Sequence, residues 1–404
     1  MPVNLSPPEF LLPVPGTELC AVAAGIRYTD RDDLVLIKLA EGSSVSAVFT
    51  KNKCCAAPVS VAKAHLEQGQ IRALLINSGN ANAVTGEQGM HNAVEACKVV
   101  ASELSLEYQQ VLPFSTGVIG EQLNMPAVLS GIVTASEQLE PNSWMNAAKG
   151  IMTTDTVPKG VSKTLEINGE LITITGISKG SGMICPDMAT MLAYVVTDAN
   201  IGQEILDELL HKGVNESFNR ITVDSDTSTN DALVLAATKQ SKAGLLDSDE
   251  ELGLFYEALR LVLVELATAI IRDAEGATKF VKIEVNKGMA QGDCKTIAYD
   301  VAHSPLVKTA LFASDPNWGR ILMALGKSAV HSLNMDKLDI SINDLALIES
   351  GQPANTYTED LGQAVFDEAE ITISISLNTG DTNYHVWTSD LSHEYVSINA
   401  DYRS

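Results

Sequence analysis

The residue with the most suggestive context for chemistry is a threonine, Thr190, between a glycine-rich segment and an apolar run. The preceding segment, KGSGMICPDMA, contains Gly180, Gly182 and Pro186, which rarely lie inside regular elements. The following run at 192–196 is apolar and rich in β-branched residues, so it predicts a buried strand. Thr190 is therefore expected where a strained turn becomes a strand. Most threonines in such stretches are simply strand residues, so this context permits a nucleophile without requiring one.

A threonine hydroxyl is a weak nucleophile unless a base lies beside it, and no histidine is close to Thr190 in the sequence. One possible base needs no histidine. If the peptide bond after Ala189 is cut, the freed α-amino group of Thr190 has a pKa of about 8 and can accept the hydroxyl proton. Strain in the preceding turn would favour an N-to-O acyl shift at Ala189. The residues permit this mechanism and do not demand it.

Two other short patterns in this region are weaker. The residues at 176–180 match G-x-S-x-G, the nucleophile elbow of serine hydrolases, but an elbow opens into a helix, and Gly182 and Pro186 oppose one. The residues at 180–185 approach G-x-G-x-x-G, with Cys185 in place of the third glycine. A serine hydrolase and a dinucleotide site are both disfavoured. The sequence has no P-loop and no zinc-binding spacing, and we expect neither a metal nor a bound cofactor.

A second segment that could take part in chemistry is STGVIG at 115–120, which follows a predicted strand. A turn of small residues such as Thr116 and Gly117 can point backbone N–H groups outward, where they bind an anion or an oxyanion. An ordinary loop is the commoner explanation for such a turn.

Two acidic features also stand out. The loop at 224–231 has alternating oxygen ligands, but it lacks the glycine and glutamate of an EF-hand loop, so we interpret it as a hydrogen-bonded structural loop. Glu275 follows the predicted helix 249–273, where a carboxylate opposes the helix dipole. This unfavourable placement hints at a cationic partner, although a surface position would explain it as well.

The composition limits the class of protein. The 404 residues include 27 basic and 51 acidic side chains, and the net charge of −24 argues against nucleic acid as a partner. The N-terminal residues lack the basic and apolar regions of a secretory signal. The most apolar helix candidate, at 258–271, contains Arg260 and Glu265 and is too short to span a bilayer. We therefore expect a cytoplasmic protein that does not bind membranes.

Hydrophobic periodicity predicts a mixed α/β chain. Predicted strands lie at 34–37, 45–49, 72–77, 111–114, 162–167, 171–175, 192–196, 220–223, 231–235, 281–285, 337–342 and 371–377. Predicted helices lie at 86–104, 124–139, 142–152, 202–218, 249–273, 294–312 and from 314–320 to about 330. Length favours about two domains, and the pattern changes near 280. We predict a main α/β domain at 1–280 and a smaller α/β domain at 281–404.

Longer motifs resemble one known family along the whole chain. The segment KGSGMICPDMATMLAYVVTDA is similar to the signature of the ornithine acetyltransferase, or glutamate N-acetyltransferase, family of arginine biosynthesis. Further matches, in chain order, are AVFTKNKCCAAPV, NSGNANAVTG, STGVIG, MTTDT, FNRITVDSDTSTND, RDAEGATKF, DPNWGRIL and NADYRS. Cys185 departs from the small residue expected there, but it neighbours the reacting groups and is not one of them.

The resemblance implies a fold and a mechanism. The fold is a layered α-β-β-α sandwich with mixed sheets plus a smaller C-terminal α/β domain. The precursor cuts itself between Ala189 and Thr190 into α and β chains that stay together, as α2β2 or larger. Thr190 then takes the acetyl group from N2-acetyl-L-ornithine and passes it to L-glutamate through an acetyl-Thr190 ester, in a ping-pong reaction.

The resemblance also assigns roles to individual residues. Thr116 and Gly117 match the oxyanion hole. The positions matching substrate-binding residues are Lys179, Thr153 or Thr154, Thr190, Glu275, Asn399 and Ser404, the last two from a C-terminal tail that returns to the active site. The cation of Lys179 suits a substrate carboxylate and the anion of Glu275 suits a substrate ammonium.

Two questions about the reaction stay open at this point. The sequence does not say whether acetyl-CoA also serves as a donor, which would make the enzyme bifunctional. A self-processing amidohydrolase or aminopeptidase that uses the same N-terminal Thr190 is the alternative, and it would release free acetate or amino acids without an acceptor.

Overall fold

The structure is a computed structural model that describes residues 2–185 and 191–401. The chain forms two compact units, and each is discontinuous in sequence. Unit 1 contains Met1–Ser6, Arg220–Asp226 and Ile271–Ser404, and unit 2 contains Pro7–Asn219 and Thr227–Ile270. The predicted single division near 280 did not include the two short segments that unit 1 draws from the earlier part of the chain.

Strands and helices alternate along the chain. In chain order the strands are β1 (Thr17–Val22), β2 (Leu34–Leu39), β3 (Ser44–Phe49), β4 (Ala73–Asn80), β5 (Val111–Val118), β6 (Lys159–Ile167), β7 (Glu170–Lys179), β8 (Leu192–Thr197), β9 (Ile221–Thr222), β10 (Ala232–Ala237), β11 (Phe280–Gly288), β12 (Asp339–Ile342), β13 (Leu345–Glu349), β14 (Gln352–Pro353), β15 (Glu370–Ser376) and β16 (Thr382–Ser389). The helices are α1 (Ala57–Gln68), α2 (Gly86–Leu104), α3 (Met125–Glu137), α4 (Trp144–Gly150), α5 (Gln203–Glu216), α6 (Asp249–Arg272), α7 (Gln291–Ala302), α8 (Pro305–Phe312), α9 (Trp318–Gly326), α10 (Glu359–Phe366) and α11 (His393–Ala400).

Unit 2 is built on two mixed sheets. A four-stranded sheet has the order β1-β2-β4-β5, with β4 and β5 parallel and the other pairs antiparallel. A five-stranded sheet has the order β3-β10-β8-β7-β6, with β10 and β8 parallel. Strands β2 and β3 follow one another in sequence but belong to different sheets. The chain therefore crosses from one sheet to the other at the turn that precedes β3.

The two sheets of unit 2 pack face to face between helices. One apolar core joins Ile37 and Ile76 of the four-stranded sheet to Tyr194 and Val234 of the five-stranded sheet. The opposite face of the four-stranded sheet packs on α2 and α3 in a second core. On the opposite face of the five-stranded sheet, β7 packs directly on α6, and α5 contacts β3. The predicted layered α-β-β-α arrangement with mixed sheets is confirmed.

Unit 1 has a single seven-stranded mixed sheet of order β14-β13-β12-β15-β11-β16-β9. Strand β15 lies at its centre, and the next strand, β11, is parallel to β15 and antiparallel to β16. Its core packs α7, α8 and α9 against the apolar residues of the sheet, such as Ile283 and Ile373. This unit has the α/β character predicted for the C-terminal part of the chain.

Most of the predicted elements are present with similar bounds, but one predicted helix is wrong, and α1, α10, α11, β1, β13, β14 and β16 were not predicted. Helix α2 has the predicted bounds, and α6 differs from the prediction by one residue. The helix predicted at 294–312 is wrong, because the structure has two helices there, α7 and α8. Pro305 begins α8 at a position where its missing N–H costs no hydrogen bond, and the Ser304 side chain accepts from Val307 N at 3.5 Å as the N-cap. In the residues that the structure describes, no helix is both long and apolar enough to span a bilayer.

Candidate active site

The predicted oxyanion-hole residues lie at the carboxyl end of β5. Thr116 is buried, and Gly117 is the residue of β5 that is partly accessible. The parallel pairing of β5 with β4 is regular up to this point and then shifts register at Gly79 and Asn80. Ladder pairing is thus interrupted where backbone N–H groups would have to be available for a ligand.

Gly117 is held in a conformation and a space that suit glycine. Its φ is +130°, in the region that favours residues without a side chain. A Cβ atom at this position would lie 2.2 Å from the carbonyl carbon of Gly79 and 2.5 Å from Asn80 N. The backbones of β4 and β5 therefore lie so close together here that only glycine fits at position 117.

Lys179 links the oxyanion segment to the neighbouring sheet. It is the last residue of β7, and it pairs with Leu192 of β8, two residues after the predicted nucleophile. Its Nζ donates a hydrogen bond to Thr116 Oγ1 at 3.0 Å. The structure therefore brings together two residues that were predicted for different roles and are 63 positions apart in the chain.

The residue that organises this region is Asp155, which the sequence analysis did not single out. Its Oδ1 accepts hydrogen bonds from Lys159 Nζ at 2.6 Å and from Gly180 N at 2.7 Å. Its Oδ2 accepts from Thr153 N at 3.0 Å. The Asp155 and Lys159 side chains are both fully buried. Asp155 therefore ties the predicted threonine pair at 153–154 to the segment that follows β7.

The charge on Asp155 is fixed by its neighbours. Burial acts to raise the pKa of this carboxyl, but the nearby Lys159 and Lys179 charges and the Gly180 N–H outweigh burial and hold the pKa well below its usual range. The folded pKa is thus lower than the unfolded one. The resulting stabilisation is present above the unfolded pKa of about 3.9 and is lost as the pH falls through the folded pKa.

We expect Asp155→Asn to lower the free energy of unfolding by about 3–5 kcal/mol at neutral pH, because it removes the carboxylate that pairs with the fully buried Lys159. Urea denaturation followed by circular dichroism measures the change. Glu265→Gln is the matched control: it breaks the exposed Lys163–Glu265 pair, which should cost less than about 1 kcal/mol. Equal effects of the two substitutions would contradict this account of Asp155.

The predicted threonine pair contacts the segment after β7 through Thr154. Its Oγ1 lies 2.7 Å from Ser181 Oγ, within hydrogen-bonding distance. Ser181 is buried, whereas Thr153 and Thr154 are partly accessible. Both threonines thus lie beside the loop that leads from Lys179 towards the predicted cleavage site, and Thr154 makes the side-chain contact.

Glu275 and Asn399, which were predicted to bind substrate, lie in unit 1 and contact each other. Asn399 Nδ2 donates to Glu275 Oε2 at 2.6 Å, and Glu275 is buried. Nearby, Tyr395 donates from its hydroxyl to Asp224 Oδ2 at 3.0 Å. Burial and the charges of Asp224 and Glu275 raise the pKa of Tyr395, which keeps the phenol neutral. Helix α11 therefore brings a donor amide and a phenol to acidic residues.

Three predicted residues lie outside the described part of the chain. They are Ala189 and Thr190 at the predicted cleavage site, and Ser404 at the C-terminus. The described residues on either side of the cleavage site are Cys185 and Met191.

Comparison with known proteins identifies the family of the chain. The model of the ArgJ family matches residues 18–404. The chain belongs to the ArgJ family. Among curated ArgJ relatives, the arginine biosynthesis bifunctional protein ArgJ of Pseudomonas syringae pv. tomato is 52% identical over 408 residues, covering 100% of both chains. The resemblance drawn from the sequence motifs is thus confirmed over the full length.

Two solved structures are also similar to this chain. The arginine biosynthesis bifunctional protein of Bacillus halodurans is 38% identical, and the match covers 51% of this chain and 97% of that one with a TM-score of 0.49. The ornithine acetyltransferase of Mycobacterium tuberculosis, solved with ornithine, is 33% identical and covers 44% of this chain and 94% of that one, with a TM-score of 0.39.

Asp155 and Lys159 are the site residues that sequence reasoning missed. The available signal was an acid and a lysine four positions apart beside Pro158, just after the threonine pair. Only the fold shows that both side chains are buried and that Asp155 also accepts a hydrogen bond from Gly180 N.

Proposed function

We propose that this chain is a self-processing N-acetyltransferase of arginine biosynthesis. It cuts itself between Ala189 and Thr190, and it moves an acetyl group from N2-acetyl-L-ornithine to L-glutamate through acetyl-Thr190. The observation that carries the proposal is the hydrogen bond from Lys179 to Thr116 in a chain of the ArgJ family. This hydrogen bond joins Lys179, the cation that we propose binds a substrate carboxylate, to the proposed oxyanion segment. The two residues lie beside the strand that follows the cleavage site.

The proposed reaction begins with the freed α-amino group of Thr190 as the base. This amine accepts the hydroxyl proton as Thr190 Oγ1 attacks the acetyl carbonyl carbon of acetylornithine. The oxyanion that forms is bound by the Thr116–Gly117 segment, where each donor is worth roughly 3–4 kcal/mol in such sites. The proton then passes to the departing N2 amine as the C–N bond breaks. Glutamate attacks the acetyl ester in the reverse sequence.

Charge complementarity supports the choice of substrates. Both are amino-acid derivatives that carry carboxylates, and Lys179 supplies a cation at the end of β7. We assign Glu275 to a substrate ammonium, held ready by its bond to Asn399. Thr153, Thr154 and the C-terminal Ser404 complete the proposed substrate contacts.

We propose a second activity, the synthesis of N-acetylglutamate from acetyl-CoA at the same threonine. The name of the Pseudomonas syringae relative contains the word bifunctional, and the two reactions share the acetyl-Thr190 ester and the glutamate acceptor. We further propose a cytoplasmic enzyme of α and β chains that assembles as α2β2 or larger and binds neither nucleic acid nor membranes. The net charge of −24 supports the absence of a nucleic-acid partner.

Intact mass spectrometry of the purified protein tests processing and acyl transfer together. We expect two chains, 1–189 and 190–404, and an added acetyl group on the second chain after incubation with acetylornithine without glutamate. A donor comparison, acetylornithine against acetyl-CoA with glutamate as acceptor, then tests the second activity. Release of acetate from acetylornithine at an equal rate with and without glutamate would instead indicate the amidohydrolase alternative.

We expect Lys179→Met to raise the KM for acetylornithine about 10- to 100-fold, because a hydrogen bond to a charged group is lost. Steady-state kinetics on the cleaved enzyme give the value. Lys163→Met is the matched control, since Lys163 is an exposed lysine on the neighbouring strand β6 that pairs with Glu265. An unchanged KM in the Lys179 variant would contradict the assignment of this cation to substrate.

A further inference from the structure

Strand β5, which carries the proposed oxyanion segment, lies at the end of the four-stranded sheet. Within the described residues only β4 pairs with it, so the other edge of β5 has no strand beside it. Pro113, in the middle of β5, has no N–H to offer, and such an edge strand tolerates it. The free edge of a strand presents N–H and C=O groups that no other strand binds. Whatever binds these groups therefore decides which of them remain for a ligand.

The two peptide groups that flank Thr116 each turn one atom to this free edge. Ser78 N donates to Asp33 O at 2.9 Å, on the side of β2, so the residues next to Ser78 in β4 present their groups to β5. Thr116 pairs with Ser78 in the parallel ladder, and its own N–H and C=O consequently point to β4. Because each peptide unit is planar and trans, Ser115 O and Gly117 N point the opposite way, to the free edge.

Asn230 binds the first of these two groups. Its Nδ2 donates to Ser115 O at 2.9 Å and to Ala81 O at 2.6 Å, so one amide group holds β5 and the segment that follows β4. Its Oδ1 accepts from Thr229 Oγ1 at 2.6 Å, and the residue is only 5% exposed. Two carbonyl oxygens can only accept, which requires the nitrogen of the amide to face them. Both amide hydrogens are therefore used, and the side chain has one orientation.

The Asn230 side chain reaches β5 from the other sheet of unit 2. Asn230 lies two residues before β10, and its backbone N–H donates to Ser228 Oγ at 3.2 Å. The next residue, Asp231, accepts a hydrogen bond from Thr50 N at its carbonyl at 2.9 Å, which anchors the same loop beside the end of β3. Asn230 thus joins the five-stranded sheet to the free edge of the four-stranded sheet, at the residue before Thr116.

We propose that Asn230 is a positioning residue for the oxyanion segment. By holding the Ser115 carbonyl, it stops β5 from turning about its own axis and keeps the Gly117 N–H directed to the free edge, where the acetyl oxygen binds. The inference rests on the proposed function, and Asn230 acts through β5 without touching the substrate. Lys179 holds the Thr116 side chain, and Asn230 holds the backbone on either side of it.

Asn230→Asp tests the proposal in the full-length protein. Aspartate has nearly the same shape, but its ionised carboxylate has no hydrogen to donate and would lie against two carbonyl oxygens. The Ser115 carbonyl then loses its donor, and the Gly117 N–H is no longer held in place. We expect kcat for acetyl transfer by the cleaved enzyme to fall about 30-fold, since loss of a whole oxyanion donor costs about 100-fold or more.

The split between kcat and KM separates this role from a general loss of structure. The negative charge on the acetyl oxygen develops only in the transition state, so a misdirected donor lowers kcat and leaves ground-state binding alone. We therefore expect the KM for acetylornithine to stay within about threefold of the wild-type value in Asn230→Asp. Steady-state kinetics with saturating glutamate give both constants, and thermal unfolding gives the melting temperature.

Asn82→Asp is the matched control. Asn82 is fully buried, its Nδ2 donates to a backbone carbonyl, Gly89 O, at 3.0 Å, and its Oδ1 accepts from Thr85 Oγ1 at 2.8 Å. It therefore makes the same kinds of hydrogen bond as Asn230, but its carbonyl partner lies in α2 and not in β5. We expect this variant to lose as much thermal stability as Asn230→Asp and to keep kcat within about threefold of wild type.

Wild-type kcat in a cleaved Asn230→Asp enzyme would overturn the inference and leave the proposed function intact. An equal loss of kcat in the Asn230 and Asn82 variants would also overturn it, because position on the edge of β5 would then not matter. If the aspartate variant does not fold, Asn230→Ser, which is too short to reach both carbonyls, replaces it with the same expectations. Absence of transfer in the wild-type protein would count against the proposed function itself.

Discussion

Replacing Thr190 by alanine should give a single chain of 43.0 kDa that has no measurable acetyl transfer. The hydroxyl is needed twice, first for the acyl shift at Ala189 and then as the acetyl acceptor, so its loss stops both steps. Removal of a nucleophile from a comparable site lowers kcat by about 10⁶-fold. Denaturing gels and intact mass report the first step, and an acetylornithine–glutamate transfer assay reports the second.

Two controls sharpen the Thr190 experiment. Thr190→Ser keeps a hydroxyl and should be cleaved and partly active. Thr197→Ala removes a buried hydroxyl from the far end of β8, where Oγ1 accepts from Ala199 N at 3.2 Å, and should be cleaved and active. Full transfer activity in an uncleaved Thr190→Ala chain would refute the N-terminal nucleophile.

The second large effect is expected for Gly117→Ala. The new methyl group would lie 2.2 Å from the Gly79 carbonyl carbon, and a backbone atom cannot move aside as a flexible side chain can. Strands β4 and β5 must separate at the proposed oxyanion segment, which should lower kcat at least 100-fold and lower the melting temperature. Transfer kinetics and thermal unfolding measure the two consequences.

Gly120→Ala is the control for backbone conformation. Gly120 belongs to the same STGVIG segment and has φ +87°, but in the described part of the chain no heavy atom outside its two chain neighbours lies within 4 Å of the position of an added Cβ. The substitution should cost only about 1 kcal/mol, the usual penalty for a left-handed residue with a side chain. If both variants behave alike, close strand approach is not what makes Gly117 necessary.

Local signals predicted much of the secondary structure. The Asn168–Gly169 dipeptide predicted the hairpin of β6 and β7, and both residues have positive φ, as such two-residue turns require. The apolar stripe of α2 predicted its bounds. Pairing between distant strands was beyond this reasoning: β2 and β3 flank one turn yet join different sheets, because the partner of β3 is the distant strand β10.

The residues of the site could be predicted from the sequence better than the contacts between them. Family motifs identified Lys179 and Thr116, but neither motif contains the information that the two side chains meet. Asp155 was missed for a related reason. An aspartate in a polar stretch is usually solvated, and only the packing of β6 and β7 around it makes its two buried partners, Lys159 Nζ and Gly180 N, visible.

The strand order of the five-stranded sheet has a consequence for the mature enzyme. A cut after Ala189 would leave β3, β6 and β7 on one polypeptide and β8 and β10 on the other. In the order β3-β10-β8-β7-β6, the neighbouring pairs β3–β10 and β8–β7 would then each join two different polypeptides. Neither polypeptide could form this sheet alone, and the mature form, α2β2 or larger, would need both chains in order to fold. Its refolding after denaturation would then be second order and would slow on dilution, whereas an uncleaved precursor would refold at a rate independent of concentration.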